Sequence, residues 1–307
     1  MISFVIPVFR SEESLTELSE RIAAVARDNS WEFEVIFVED CGGDNSWNVI
    51  QGLAAKNTNI RGFRMSRNYG QHNALLCGIR EAKGDIIITL DDDLQHPPEE
   101  LPKLVSKLRA EFDVVYGSPE QEQHGLLRDL ASQITKLALE GAMGATNASQ
   151  VSALRAFKTR LRDAFSEYRS PTVSVDVLLT WATTKFSVVR VRHEPRKHGK
   201  SGYTRKKLVA HAISMMTGFS TFPLQLTSVI GFVLTIFGIL ILTYVLVVWF
   251  LKGSVVPGFA FLASIIAVFS GAQLLALGII GEYLARMYLR AMEKPQYLVE
   301  TTAPKKG

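Results

Sequence analysis

The chain has 307 residues, 47% of them hydrophobic and 21% charged, with 34 Lys and Arg against 30 Asp and Glu for a net charge of +4. That composition excludes a disordered polypeptide, two cysteines exclude a disulfide scaffold, and so small a net charge argues against a nucleic-acid partner. A mean hydropathy of +0.13 is nevertheless high for a wholly soluble protein. The excess is local: no formal charge falls between His211 and Lys252.

Taken in order, residues 2–8 are a short apolar strand, and Met1 leads straight into it, so no signal peptide is expected and the N-terminal part should stay in the cytoplasm. Ser11-Glu12-Glu13-Ser14 opens a helix to about Arg27, with Leu15, Leu18, Ile22 and Val25 at helical spacing. Residues 33–38 form a second strand ending in Glu39-Asp40. A glycine-bearing turn, Cys41-Gly42-Gly43, and a helix from Trp47 to about Lys56 follow. Further strands are expected over 60–65, 86–90, 113–116, 151–157 and 181–191, and helices over 70–82, 98–110 and 128–139. Alternating strands and helices with short connections predict an α/β fold, a sheet wound with helices on both faces.

The strand over 86–90 ends in Asp91-Asp92-Asp93-Leu94-Gln95-His96-Pro97-Pro98. Three adjacent acids either surround a divalent cation or form a solvated, capped turn. In a parallel sheet they share one rim with Glu39-Asp40, the rim where open α/β sheets bind ligands. A cation there, magnesium or manganese on hard oxygen ligands, would serve to neutralise a diphosphate. Arg10, Gly42 and Gly43 do not complete a dinucleotide fingerprint, no P-loop is present, and cysteine spacing suits two ordinary thiols.

Residues 193–207 are basic and glycine-broken, and 208–222 could lie in the headgroup plane or pack as a connector helix. Two uncharged stretches, 226–251 and 259–281, are each long enough to cross roughly 30 Å of hydrocarbon. Basic residues flank the pair and only Lys252 lies between them, which places both chain ends in the cytoplasm by the positive-inside rule. The expected organisation is a catalytic domain over 1–207, an interfacial helix over 208–224, two transmembrane helices over 225–284 and a cytoplasmic tail over 285–307, disordered from 301.

Several motifs coincide in order: Ile6-Pro7-Val8, Val38-Glu39-Asp40, Asn68-Tyr69-Gly70-Gln71-His72 and the run from Leu90 to Glu99. Together they resemble the inverting family 2 glycosyltransferases of GT-A fold. Within these the chain resembles the polyprenyl-phosphate glycosyltransferases, relatives of dolichyl-phosphate mannose synthase, and the tail Gly281-Glu282-Tyr283 with Lys294-Pro295-Gln296-Tyr297 resembles the bacterial two-span members. The family's Arg-x-x-Gly-x-Ser-x-Tyr signature stands here as Arg196, Gly199, Ser201 and Tyr203.

The resemblance implies a Rossmann-like, mostly parallel catalytic sheet and a metal site of Asp91, Asp93 and Gln95 for Mg2+ or Mn2+, with Asp91 and Asp93 catalytic. It implies a nucleotide-sugar pocket of Pro7, Val8, Glu39 and Asp40, with Asp92 as an electrostatic or structural member beside it. The acceptor, polyprenyl phosphate, would meet Arg196, Ser201, Tyr203 and Arg205. Where family members often read Gly-Ser-Arg this chain has Gly117-Ser118-Pro119, so Arg128, and further on Arg155, are the candidates to steady the donor diphosphate and the acceptor phosphate. Glu39, Cys41-Gly42, Ser11 and residues 149–154 also depart from the pattern and bear on which sugar is carried; a uridine donor is the family expectation. The implied protein is a multi-pass plasma-membrane enzyme making a lipid-phosphate-sugar for cell-envelope glycosylation. Membrane lipids are its surroundings, and self-association in the membrane is plausible because two spans seldom enclose a site. A sugar-nucleotide sensor on a dead transferase fold and a processive polysaccharide synthase are the competing readings. Against them stand the intact Asp91, Asp93 and Gln95 set and the lack of a Gln-x-x-Arg-Trp-like motif.

Overall fold

The computed structural model describes residues 1–119, 151–170, 173–195, 222–252 and 258–304. The chain forms two compact units, one of Met1–Ala212 with Glu293–Gly307 and one of Ile213–Met292.

The first unit is built on eight strands: β1 (Ile2–Val8), β2 (Phe33–Glu39), β3 (Ile60–Met65), β4 (Ile86–Thr89), β5 (Val114–Pro119), β6 (Arg155–Lys158), β7 (Phe186–Val191) and β8 (Val299–Ala303). They make one sheet in the order β7-β5-β6-β4-β1-β2-β3-β8. The strands β1 to β4 run parallel, as do β5 and β7, while β6 is antiparallel to both its neighbours and β8 is antiparallel to β3. The sheet is thus mostly parallel, with two antiparallel strands.

Every residue of β1 is buried, as an apolar run covered on both faces requires. Its even side chains Ile2, Phe4, Ile6 and Val8 join a core with Leu15, Leu18 and Ile22 of α1 (Leu15–Asp28), Trp47 and Ile50 of α2 (Ser46–Lys56), and Leu101 and Leu104 of α4 (Leu101–Ala110). Each fully buried Leu or Ile there stabilises the fold by roughly 1.5–3 kcal/mol. The odd face takes α3 (Gln71–Glu81), where a side chain at Gly78 would overlap Val5.

Three expectations are corrected. Residues 181–182 do not begin a strand: Val175–Ala182 is a helix, α5, because Val175, Leu178 and Leu179 bury one face at helical spacing. The helix expected from Ser11 starts at Leu15, because the hydroxyls of Ser11 and Ser14 bond back to Asp92. Of the tail expected to be disordered over 301–307, residues 301–303 belong to strand β8, paired through Gly62↔Ala303 to Met65↔Val299, and 305–307 lie outside the described residues. It covers the β3 edge, which would otherwise present unpaired backbone groups.

The second unit holds two long helices, α6 (Phe222–Lys252) and α7 (Phe259–Ala291). They contain apolar spans Pro223–Leu251 and Val268–Ala291, with hydropathies of 2.7 and 1.5, long enough to cross a membrane. Their large apolar side chains point outward along the helices, with Phe232, Leu240 and Phe250 all more than half exposed. An apolar surface of that extent needs lipid or a partner, and two helices of this length suggest membrane association. The expected interfacial helix falls outside the described residues except for 222–224, which are the first turn of α6.

Candidate active site

The site begins with topology. From β1 the chain crosses to β2 on one side, while β4 pairs with β1 on the other, so the order reverses between β1 and β4. Loops leaving the carboxyl ends of these strands diverge and open a crevice there. The parallel register puts Val8 beside Glu39 and Val5 beside Thr89, so the ends of β1, β2 and β4 share one rim. Of the seven described residues with left-handed backbone, five sit on this rim: Arg10, Cys41, Gly43, Gly70 and Leu94. Four tight turns converge here, and backbone held outside the ordinary regions concentrates at sites that need fixed geometry.

At the end of β4 the three acids take three roles. Asp92 turns inward, and its Oδ2 accepts from the Phe9 N–H (3.0 Å) and the Ser11 hydroxyl (2.5 Å). Its carbonyl accepts from the Ser14 hydroxyl at 2.5 Å, so Asp92 straps the β4 turn to the β1 turn across the crevice. Burial pushes its carboxyl up to about 6, against those hydrogen bonds. Asp91 is half-buried and its Oδ1 accepts from the Gln71 amide at 2.7 Å. Asp93 is 8% exposed and its Oδ1 accepts from the Gln95 N–H at 3.1 Å, which folds the turn around Leu94.

At the end of β2, Asp40 accepts from the N–H groups of Tyr69 (2.7 Å) and Gly70 (2.8 Å), anchoring the start of α3. Burial pushes its carboxyl up to about 6 despite those bonds. The Oε1 of Glu39 accepts from the Gly42 N–H at 2.6 Å, and its Oε2 lies 3.2 Å from Arg64 Nε. Gly42 is obligatory, since a Cβ there would lie 2.8 Å from the Arg10 nitrogen. Arg10 Nε donates to the Gly42 carbonyl at 2.9 Å, locking the β1 and β2 turns together.

Pro7 and Val8, expected to touch the nucleotide, are buried, and the Val8 carbonyl accepts from the Asp40 N–H at 2.9 Å. The wall that faces outward at this strand end is Phe9, 46% exposed with the Arg10 guanidinium over its ring. Arg155, expected beside the acceptor phosphate, is 3% exposed and donates at 2.7 Å to Asp176, which also accepts from the Tyr116 hydroxyl. Arg155 opens β6 opposite Thr89, level with the rim, but its side chain is buried against Asp176 and does not face the crevice. Arg128, Arg196, Ser201, Tyr203 and Arg205 lie outside the described residues.

Sequence reasoning missed several contributors. Gln71, Ser11 and Ser14, noted in the sequence only as motif and helix-opening residues, hydrogen-bond the acids and organise them. Past β7, the Glu194 N–H donates to the Gln95 carbonyl at 2.9 Å, and the rings of His193 and His96 meet edge to face at 5.1 Å. Burial, with His193 beside it, lowers His96 to about 4, so it is neutral at pH 7. Arg192 Nε donates to Glu100 at 2.7 Å. The chain that leads into the basic segment is therefore pinned along the acidic turn.

No group of three or more His, Cys, Asp or Glu side chains able to cage a cation occurs among the described residues. Two carboxylates and an amide oxygen, from Asp91, Asp93 and Gln95, still suit Mg2+ or Mn2+. Such ions take hard oxygen ligands, keep waters and bridge to substrate phosphate instead of filling a protein cage.

Known proteins agree with this architecture. The family model for glycosyl transferase family 2 matches residues 3–168, more than half of the chain. The undecaprenyl-phosphate 4-deoxy-4-formamido-L-arabinose transferase of Pseudomonas fluorescens (strain SBW25) is 33% identical over 302 residues, covering 97% of this chain and 89% of that protein. The protein of the same name from Proteus mirabilis (strain HI4320) is 32% identical over 302 residues, covering 97% and 93%. Among solved structures, glucosyl-3-phosphoglycerate synthase from Mycobacterium tuberculosis, crystallised with Mn2+, uridine diphosphate and glucosyl-3-phosphoglycerate, aligns with a TM-score of 0.53 at 17% identity. The alignment covers 71% of this chain and 77% of that one, and it shows the shared GT-A fold. With a Rossmann-like mixed sheet, acids at its switch point and a family match over strands β1 to β6, the chain belongs to glycosyl transferase family 2.

Proposed function

We propose that this glycosyltransferase moves one sugar from a nucleotide-sugar donor, a UDP-sugar, to polyprenyl phosphate, with inversion at the anomeric carbon. The observation that carries this reading is the bond from Glu194 to Gln95. It roots the segment leading to Arg196, Ser201, Tyr203 and Arg205 on the turn that presents Asp91 and Asp93. That bond supports a donor and an acceptor set that share one rim. The relatives named for undecaprenyl phosphate support the acceptor, and the apolar helices α6 and α7 suit an enzyme that meets a lipid substrate.

In this reading Glu39 and Asp40 frame the nucleoside, and Asp91, Asp93 and Gln95 hold Mg2+ or Mn2+. When bound, the cation neutralises the diphosphate as it departs. Gln71 and the Gln95 N–H keep Asp91 and Asp93 oriented, which lowers the reorganisation needed when donor arrives. The attacking lipid phosphate is already largely ionised, with a second pKa near ~6, so no strong general base is required. His96, neutral and buried, fits a packing role and is not needed as that base. The basic segment 196–207 would attract the acceptor's anionic head, roughly 1 kcal/mol for each Lys or Arg near an anionic surface. Basic flanks on both sides of the helix pair support a cytoplasmic catalytic unit and cytoplasmic termini.

A donor panel tests the proposal. Membranes containing the protein are incubated with polyprenyl phosphate and labelled UDP-glucose, UDP-galactose, UDP-N-acetylhexosamines or a UDP-linked 4-formamido-arabinose, and the lipid product is extracted. One sugar per lipid phosphate is the expected product. Bound but unreacted sugar would favour a sensor, and polymer would favour a processive synthase.

A further inference from the structure

The strand after the apolar helices reaches into the proposed donor pocket. Pairing of β8 with β3 runs Gly62↔Ala303, Phe63↔Thr302 and Arg64↔Thr301, then jumps to Met65↔Val299. Glu300 is the residue skipped, the extra residue of a β-bulge. Bulges re-aim side chains, and this one lets Glu300 and Thr301 both oppose Arg64. The Glu300 carboxylate lies 3.8 Å from Arg64 Nε. On the other side, Arg64 is the direct neighbour of Glu39 across β2 and β3, and its Nε lies 3.2 Å from Glu39 Oε2. Both carboxylates, one on the rim and one on the returning strand, thus approach the same guanidinium nitrogen, as charge contacts without a hydrogen bond. The Glu39 side is 2% exposed, Arg64 34% and Glu300 57%.

Glu39 does not act alone on the rim. Its other oxygen holds the Gly42 N–H, and the Gly42 carbonyl holds Arg10. The bonds Glu39–Gly42–Arg10, continued by Phe9 N–H to Asp92, cross from β2 to the acidic turn of β4. The same returning strand also braces the loop before α3, through the Ser66 N–H to the Leu298 carbonyl at 2.9 Å.

We infer that Arg64 and Glu300 are positioning residues for nucleotide binding: the returning strand β8 completes the donor pocket by holding Arg64 against Glu39. This rests on the reading of Glu39 as a donor-pocket residue. Arg64 supplies the only described ion-pair partner of the buried Glu39 carboxylate, and Glu300 restrains Arg64 from the exposed side. Donor affinity in this chain then depends on residues beyond the second apolar helix, more than two hundred positions from the strand they serve.

The test uses the purified full-length chain in nanodiscs and calorimetric titration with UDP in the presence of Mn2+, alongside steady-state transfer kinetics. Glu300→Gln keeps size and strand pairing, and UDP affinity is expected to fall about 2–5-fold, the range for a partly exposed ion pair. Arg64→Gln leaves a buried carboxylate unpaired and should weaken UDP about 10-fold or more, with Arg64→Lys recovering part of the loss. Both effects should appear in donor KM, with kcat and acceptor KM unchanged and the melting temperature of Glu300→Gln equal to that of the parent. A purely structural role would lower the melting temperature and leave UDP affinity alone. Glu39→Gln serves as the control. If it loses UDP binding while the Arg64 and Glu300 variants bind like the parent, the inference is overturned and the donor reading stands. If Glu39→Gln also binds like the parent, both are overturned.

Discussion

At the end of β2, Glu39 and Asp40 are 2% and 3% exposed, and each bonds backbone N–H groups of the neighbouring turns. At the end of β4, Asp92, half-buried like Asp91, serves the same framework purpose through its bonds to Phe9 and Ser11, whereas Asp91 is held by the Gln71 amide and Asp93 shapes the turn beside it. The two acidic strand ends look equivalent as text, two clusters closing two apolar runs. In the fold one is mainly a brace for the crevice, and the other divides its labour between brace and the proposed ligand set. A carboxylate that accepts two backbone N–H groups is a structural element first, and its loss should register in stability. One presented on a turn at the switch point should register in chemistry.

Substitutions separate these roles, the largest effect first. Asp93→Asn is expected to lower kcat by about 10²–10³-fold or more by analogy with other charge-stabilising groups, with little change in melting temperature. Sustained transfer by the unmodified protein in excess chelator would refute the ligand assignment behind that expectation. Asp40→Ala leaves the buried N–H groups of Tyr69 and Gly70 without their acceptor and should destabilise the first unit by about 2–4 kcal/mol, readable in denaturant unfolding of the full chain.

The pH dependence of Asp40 has a definite sign. Its carboxyl is raised to about 6 in the fold and ordinary when unfolded, so between pH 4 and 6 the native state holds the proton more firmly. Stability attributable to Asp40 is greatest below pH 4 and falls by ~2–3 kcal/mol as pH rises through 6. Comparing unfolding of the parent and Asp40→Asn across that range isolates the contribution. A parallel pH dependence in both proteins would show that Asp40 does not titrate there. The smallest effect is expected for Ser11→Ala, which removes one of the two bonds to Asp92 Oδ2 and should cost about 1 kcal/mol. If Ser11→Ala instead abolished transfer with unchanged stability, Asp92 would belong with the ligand set and not with the brace.

Much of the first unit was legible in its residues. The strand over 60–65 and helices α2 and α3 fall within a residue or two of expectation, because short apolar segments bounded by glycine and polar turn residues report local structure directly. The Leu15, Leu18, Ile22 and Val25 face of α1 is buried as its spacing predicts. Arg155 was misleading for a physical reason. An arginine near the rim in sequence reads as a phosphate ligand, and β6 does start opposite Thr89 at that rim, but a buried ion pair with Asp176 uses the charge of Arg155. The helix α5 was hidden because Trp181 and the aromatic and β-branched residues after it resemble one continuous strand.

By itself the sequence determined the alternation of strands and helices, the acids at two strand ends, the uncharged stretches and the family they point to. Each is a local property: side-chain periodicity, charge placement and hydropathy along a continuous segment. The tertiary structure decided which acids are framework, that β6 and β8 run against their neighbours, and that the tail returns to place Glu300 against Arg64. Those outcomes depend on hydrogen-bond partners supplied by segments remote in the chain, and no local pattern encodes where a distant strand will find its edge.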